Sequence, residues 1–210
     1  KLFDGSAATT EDFVYSLIQG AKDKGFQINF DVDQFCLWYY QSGTPIVSIN
    51  RAWNQNKREL VLKVSQFTPP TKDRIEKGPL VIPIKFALIS SKGNMNREYF
   101  HILDKNEDTI IIEDLDYSPK EISLSLFRGF SAPVKWEIDL TIEESLLLFR
   151  HDDDYFSKWE AGQNLIKKSL ISRANGNQDL FLENHLVDIF SDLISNSENI
   201  DNDYLSLLMT

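Results

Sequence analysis

The three histidines are the residues of this sequence that could most readily bind a catalytic metal. They are His101, His151 and His185. A zinc peptidase site of the H-E-x-x-H type places two histidines four residues apart on one helical face. No two of these histidines have that spacing, and residues 186–189 add no second histidine after His185. We therefore expect this chain to contain no metal ligand and to bind no cofactor.

Acidic residues form two short runs that resemble cation sites. Asp152, Asp153 and Asp154 precede an apolar helical pattern, where carboxylates accept hydrogen bonds from the free N–H groups of a helix start. Residues 104–108 begin with the spacing of a calcium loop, but Leu115 stands where the bidentate glutamate of such a loop belongs. We interpret the first run as a helix cap and the second as an exposed turn.

Two residues are candidates for a nucleophile, and their surroundings disfavour both. Ser131 lies in a segment that resembles a nucleophile elbow, but Pro133 replaces the second glycine and a strand follows where a helix is needed. Cys36, the single cysteine, stands between Phe35 and Leu37, which indicates a buried, unreactive thiol. A hydrolase that uses Ser131 or Cys36 is thus an unfavoured alternative, and we expect no catalytic residue in the chain.

The net charge of the chain disfavours two classes of binding partner, nucleic acids and anionic membrane surfaces. With 22 basic and 32 acidic residues, the net charge is -10. A nucleic-acid-binding protein needs a cationic face, and so does a protein that binds an anionic membrane surface. The sequence begins at Lys1 without a signal-peptide pattern, and it contains no N-x-[ST] glycosylation site. We expect a cytoplasmic protein with no nucleic-acid or membrane partner, and the abrupt ends lead us to expect a piece of a longer chain.

Helices are predicted before residue 42. Thr9 or Thr10 can cap a first helix, and Gly25 is a plausible end for it. A second apolar segment covers residues 31–41, and Pro45 follows the break in its pattern. The first helix carries an apolar stripe with helical spacing, which consists of Phe13, Val14, Leu17, Ile18 and Ala21.

Residues 45–140 change to the period of two that is typical of half-buried strands. Pro83 indicates an edge strand or a bulge. We expect Trp136 and Ile138 to face the core opposite Leu60 and Leu62. Six or seven short strands in about 100 residues predict an immunoglobulin-like antiparallel β-sandwich. The predicted strands lie within residues 46–50, 60–65, 81–90, 109–115, 122–126 and 134–140.

Residues 141–210 return to a helical pattern. Thr141 and Glu144 have the spacing of a capping box. A long helix follows Asp154 and ends near Gly176, and further helices are predicted at residues 180–194 and 204–209. Short helices in series predict the start of an α-solenoid. The predicted fold class is therefore α+β, with a helical segment at 1–41, a β-sandwich domain at 42–140 and a helical domain at 141–210.

Six segments of the sequence carry a resemblance to one known family; they are residues 5–14, 35–45, 65–69, 79–84, 128–134 and 151–163. In the same order, these segments resemble the bacterial aminopeptidase N family of zinc metallopeptidases. Residues 5–14 look like the end of the catalytic domain of that family, and residues 35–45 resemble the entry to its β-sandwich domain. The next three segments match the sandwich, and the last matches the opening of the helical domain.

The resemblance implies a role within a larger enzyme. The family removes N-terminal residues from peptides with one zinc ion, and its zinc ligands and catalytic residues precede the point at which this chain begins. The implied partners are peptides, as substrates of the parent enzyme, and the catalytic and C-terminal helical domains of the same molecule. The fragment itself is expected to be inactive and to position the helical domain against the catalytic domain. The alternative is a free-standing sandwich module for adhesion or carbohydrate binding.

Overall fold

Helical segments lie on both sides of a β-rich centre in the computed structural model, which describes residues 5, 7–72, 75–196 and 202–208. The first helix, α1, covers Thr10–Asp23. Its N-cap Thr9 accepts a hydrogen bond from the Asp12 N–H, and the Asp12 carboxylate accepts one from the Thr9 N–H. Two single-turn helices follow, α2 at Val32–Phe35 and α3 at Leu37–Tyr40.

The centre is a sandwich of two sheets, which confirms the predicted fold class. One sheet has the strand order β5-β2-β1-β7 and the other the order β4-β3-β6. The inward side chains of both sheets form one apolar core, which includes Val47, Leu62, Ile84 and Leu124. The strands are β1 Ile46–Asn54, β2 Glu59–Phe67, β3 Ile82–Ser90, β4 Gly93–Leu103, β5 Glu107–Ile112, β6 Ile122–Leu126 and β7 Lys135–Ile138.

Strand β4 is missing from the sequence prediction. Its first half is polar, so the alternation that marks the other strands is weak there. Pairing with β3 nevertheless forms an antiparallel hairpin, with Ile82 opposite Leu103. Backbone hydrogen bonds to a well-patterned neighbour therefore extend the sheet where the side-chain pattern is poor.

The sandwich is not antiparallel throughout, because β7 pairs with β1 in parallel. A parallel pair needs a long crossover connection, and the five intervening strands supply it. Trp136 pairs with Val47, and β1 in turn pairs with β2. Trp136 and Ile138 thus belong to the same sheet as Leu60 and Leu62, and the expectation that they face these leucines from the opposite sheet is wrong.

Pro83 lies in the central strand of its sheet, although the sequence favours an edge or a bulge. The pairing of β3 with β6 begins only at Phe86, so Pro83 has a strand neighbour on the β4 side. On the other side, the Ser131 hydroxyl donates to the Pro83 carbonyl oxygen at 3.1 Å and accepts from the Lys85 N–H at 3.2 Å. The proline therefore occupies a stretch where no ladder hydrogen bond is lost.

The C-terminal helices pack on the outer face of the β4-β3-β6 sheet. Leu146, Phe149 and Leu165 form a second apolar core with Ala87 and Ile89 of β3. The capping box of Thr141 and Glu144 is present, as predicted. The helices are α4 Ile142–His151, α5 Tyr155–Ala174, α6 Leu180–Ser195 and α7 Asn202–Leu208; Met209, which the sequence predicts to be helical, lies outside the described residues.

Candidate functional site at the domain junction

A turn after β6 directs one arginine out of the sandwich. It is a single 3₁₀ turn over Arg128–Phe130 in which Gly129 has a φ of 60°, a value that favours glycine. Phe127 and Phe130 also have positive φ values. The Phe127 ring is buried and lies 5.1 Å from the Trp136 ring, so core packing holds this backbone in place. The Arg128 side chain consequently points at the loop between α4 and α5.

Arg128 is buried, with 3% of its surface exposed, and contacts four polar side chains. Nη1 donates to Asp152 Oδ1 at 2.7 Å and to Ser125 Oγ at 3.1 Å. Nη2 donates to Asp153 Oδ1 at 2.6 Å, and Nε donates to Glu98 Oε1 at 2.9 Å. We call these five residues the junction cluster, since Glu98, Ser125 and Arg128 belong to the sandwich and the two aspartates to the helical segment.

The three consecutive aspartates of the loop have different roles. Asp154 is the N-cap of α5, and its Oδ1 accepts from the Ser157 N–H at 2.9 Å. Its other carboxylate oxygen accepts from the Gly129 N–H at 2.7 Å, which adds a second link to the turn. Asp152 Oδ1 accepts from the Asp154 N–H at 3.0 Å as well as from Arg128. The interpretation of this run as a helix cap is therefore right for Asp154 and incomplete for its two neighbours.

Burial and charge act in opposite directions within the junction cluster. Burial raises the pKa of Asp152, although hydrogen bonds from Ser125, the Asp154 N–H and Arg128 act against that rise. The Lys85 ammonium lies 2.9 Å from Glu98 Oε2, and with Arg128 it lowers the pKa of Glu98. A buried ion pair of this kind contributes to stability only when both partners are present, because either one alone is an unpaired buried charge.

Further contacts join the same two parts of the chain. The Ser157 hydroxyl donates to the Leu126 carbonyl oxygen at 3.2 Å. The Phe156 ring of α5 lies 5.2 Å from the Phe130 ring and 5.9 Å from the Trp136 ring. These are distances at which aromatic pairs attract one another. The junction thus combines a buried ion pair with an aromatic cluster.

Comparisons with known proteins match both parts of this junction. Residues 43–139 match the family model DUF3458, a domain of unknown function with an Ig-like fold, and residues 142–210 match DUF3458_C, which is described as ARM repeats. The chain is 33% identical over 198 residues to aminopeptidase N of Escherichia coli, covering 89% of this chain and 22% of that protein. It is 38% identical over 173 residues to aminopeptidase N of Haemophilus influenzae, covering 80% and 19%.

The chain belongs to the aminopeptidase N family. A crystal structure of Legionella pneumophila aminopeptidase A in complex with aspartic acid supports this assignment, with a TM-score of 0.74 and 25% sequence identity. That match covers 98% of this chain and 22% of the Legionella chain. The chain spans about a fifth of the length of the aminopeptidase N relatives that it matches. The resemblance stated from the sequence segments is therefore confirmed.

The histidines of this aminopeptidase N segment lie apart from one another. His101 Nε2 is 3.2 Å from Asp108 Oδ2, and His185 Nδ1 is 2.8 Å from the Phe181 carbonyl oxygen. His151 ends α4, where burial lowers its pKa. Within the described residues, no group of three or more His, Cys, Asp or Glu side chains could hold a metal ion.

The remaining candidates have structural contacts. Within the run 104–108, residues 104–106 form the predicted turn between β4 and β5, and Glu107 and Asp108 begin β5. In this turn, the Gln66 side-chain amide donates to the Lys105 carbonyl oxygen at 2.9 Å. Cys36 is buried, and burial raises the pKa of its thiol. Ser131 bridges Pro83 and Lys85, as described above. In the part of the chain that the structure describes, no helix is long and apolar enough to cross a membrane.

Arg128 is the functional residue that the motif search missed. An isolated arginine after a strand is expected to be exposed, and its partners stand 30 residues before and 24 residues after it. The two matching segments 128–134 and 151–163 contain Arg128 and Asp152 respectively. The presence of both matching segments in one sequence was the signal that could have pointed to Arg128 and Asp152. The contact between these two residues, however, is visible only in the folded chain.

Proposed function

We propose that this chain is the non-catalytic junction of a zinc aminopeptidase, and that it holds the helical domain at a fixed orientation. The supporting observation is the buried Arg128, which binds Asp152 and Asp153 across the domain junction. Since a buried, paired charge leaves its partners only at a large cost in free energy, the junction cluster restricts rotation of one domain against the other.

The enzymatic activity that we propose belongs to the parent protein. Its relatives are named aminopeptidases, which supports removal of N-terminal amino acids from peptides as the reaction. The described residues of this chain do not fit a zinc ion, because no three candidate ligands come together. We therefore assign zinc and the catalytic residues to other parts of the parent, and we propose that this chain alone is inactive.

The proposed organisation keeps the domain limits 1–41, 42–140 and 141–210. Residues 1–41 would contact the catalytic domain, and residues 141–210 would begin the C-terminal helical domain. We also propose a cytoplasmic location, for which the single, buried cysteine is the support, since cytoplasmic proteins rarely form disulfides. The net charge of -10 supports the absence of nucleic-acid and anionic membrane partners.

The positioning role can be tested by a distance measurement across the junction in the whole parent protein. Spin labels are attached at Lys63→Cys in the sandwich and at Asp188→Cys in α6, in a background that carries Cys36→Ala. We expect one narrow distance distribution, and a broader one after Arg128→Met. Arg128→Lys, which keeps the charge but not the fork of donors, should broaden it less.

The control for this experiment is Arg173→Met, which removes an exposed arginine paired with Glu183 and should leave the distribution unchanged. An unchanged distribution in both Arg128 variants would contradict the positioning role. Inactivity is tested separately with the 210-residue chain, zinc and an alanine anilide. Hydrolysis that copurifies with the chain and stops when a chelator is added would contradict it.

A further inference from the structure

A cleft of about 860 Å³ lies between the sandwich and the inner side of α5. Its volume falls within the range of about 300–1,000 Å³ that is typical of ligand sites. The α5 wall runs from Ser157 to Ile171, a length of about 21 Å at 1.5 Å per residue. A peptide strand advances about 3.3 Å per residue, so the wall matches an extended peptide of about six residues.

The opposite wall belongs to three strands. The cleft is lined by residues 48–50 of β1, by residues 124–126 of β6 and by residues 136–140 in and after β7. Both β6 and β7 are terminal strands in the sheets of the described residues. All residues of β6 are buried, and the Leu126 carbonyl oxygen already accepts from Ser157. The edge that can offer backbone N–H and C=O groups to another strand is therefore that of β7, whose residues alternate between exposed and half-buried.

Charges of both signs stand along the cleft. Glu137 and Asp139 line the sandwich side, and Glu160, Lys167 and Lys168 line the helix side. Glu160 and Lys167 are seven residues apart, or about 10 Å along the helix axis. Among the described residues, neither lysine forms an ion pair. The distance between Glu160 and Lys167 is about half the length of an extended six-residue peptide, so only one charged end can lie here, and the two ammonium groups suit the C-terminal carboxylate.

The cleft continues into a smaller cavity of about 380 Å³ at the end of the sandwich. The two share Ile49, Asn50, Leu124 and Asp139 in their walls. Ser123 lines the smaller cavity, and its hydroxyl is fully buried without a hydrogen-bond partner in the described structure.

We propose that this cleft binds an extended peptide of about six residues, which pairs with the edge of β7, places its C-terminal carboxylate at Lys167 and Lys168, and runs past Glu160 toward Ser157. Addition of a strand to a sheet edge is a recurring mode of peptide recognition, in which backbone hydrogen bonds supply affinity. The site lies in the junction and needs no catalytic residue, so it is independent of the proposed function.

The test is an NMR titration of the ¹⁵N-labelled 210-residue chain with a free-ended hexapeptide of alternating serine and alanine. We expect amide shift changes along β6, β7 and the cleft side of α5, and slower hydrogen exchange at the edge of β7. The serine-alanine dipeptide should bind at least about tenfold more weakly, because it pairs with only about a third of the length that the hexapeptide covers. Lys167→Glu with Lys168→Glu should weaken hexapeptide binding by about tenfold, the effect of one lost charged contact.

The matched control is Lys22→Glu with Lys24→Glu, which makes the same change in net charge on residues that do not line the cleft. A second variant, Asn164→Trp, fills the cleft from an exposed helical position and should abolish binding without loss of the fold. Absence of shift changes at millimolar peptide would overturn the proposal. So would changes centred outside the cleft, or equal affinity for the dipeptide and the hexapeptide.

Discussion

Helices α1 and α4 begin with the same local structure and differ in what covers them. Thr9 with Asp12 and Thr141 with Glu144 each form a complete capping box. Eight residues after the cap, α1 carries Leu17, which is 57% exposed, and α4 carries Phe149, which is fully buried. Caps and apolar spacing thus specify a helix and its apolar side, but they do not specify whether another element packs there.

The difference between the two helices arises from long-range contacts. Helix α4 packs on Ala87 and Ile89 of the β4-β3-β6 sheet and on α5. In α1, Val14 is buried but Phe13 is more than half exposed. An exposed apolar side chain contributes little to stability, whereas burial of a large one contributes about 1.5–3 kcal/mol. We therefore expect the packing of α4 at the junction to contribute more to the free energy of unfolding than the packing of α1.

The largest expected effect comes from comparing one substitution in α4 with a substitution at the matching position of α1. Phe149→Ala should lower the free energy of unfolding by about 3–5 kcal/mol, because it leaves a cavity in the second core. Leu17→Ala, at the matching position of α1, should change it by no more than about 0.5 kcal/mol. Urea unfolding of both variants, followed by circular dichroism, measures the difference. Equal losses would show that α1 is as well packed as α4.

The ion pair of the junction cluster gives the next test. Arg128→Met should lower the free energy of unfolding by about 3–5 kcal/mol, because Asp152 becomes a buried charge that has lost its main partner. Adding Asp152→Asn should recover part of that loss, since the amide is neutral and still accepts from the Asp154 N–H. Arg173→Met serves as the exposed control and should have almost no effect. A double variant no more stable than Arg128→Met would argue against a buried-charge penalty.

Two helical glycines provide a further test of the difference in packing between the junction and α1. A Cβ at Gly162 of α5 would lie 2.8 Å from Cε2 of the buried Phe149 ring. Gly162→Ala should therefore destabilise the chain by about 1–3 kcal/mol. Among the described residues, a Cβ at Gly20 of α1 would meet nothing within 4 Å apart from the adjacent backbone of its own helix, so Gly20→Ala should stabilise α1 by up to about 1 kcal/mol. Thermal unfolding measures both, and opposite signs are the expected result.

The smallest effect is a pH dependence at Glu98. Because its pKa is lowered in the folded chain, its contribution to stability is fully present above its ordinary pKa of 4.5 and is lost as the pH falls through the lowered value. The stability difference between the natural chain and Glu98→Gln should thus shrink below pH 4.5. Its size should not exceed about 1 kcal/mol, since the Glu98 side chain is 40% exposed. A difference that grows on acidification would contradict this sign.

Much of the secondary structure was predictable because its causes are local. The alternation in 60–65 and 122–126 identified β2 and β6, and capping residues identified the starts of α1, α4 and α5. In contrast, β4 has a weak pattern and depends on β3 for its hydrogen bonds. The parallel pairing of β7 with β1 also depends on partners that lie far away in the sequence.

The sequence by itself determined the family, the two-sheet sandwich between helices, and the likeness of α1 to α4. Only the tertiary structure decided that Arg128 is buried against Asp152, and that Asp153 binds Arg128 instead of capping α5. It also decided that strands of the sandwich line a cleft along α5. The physical reason is the distance along the sequence over which each interaction acts. Caps and periodicity act over a few residues, whereas burial and charge pairing depend on which distant segments meet when the chain folds.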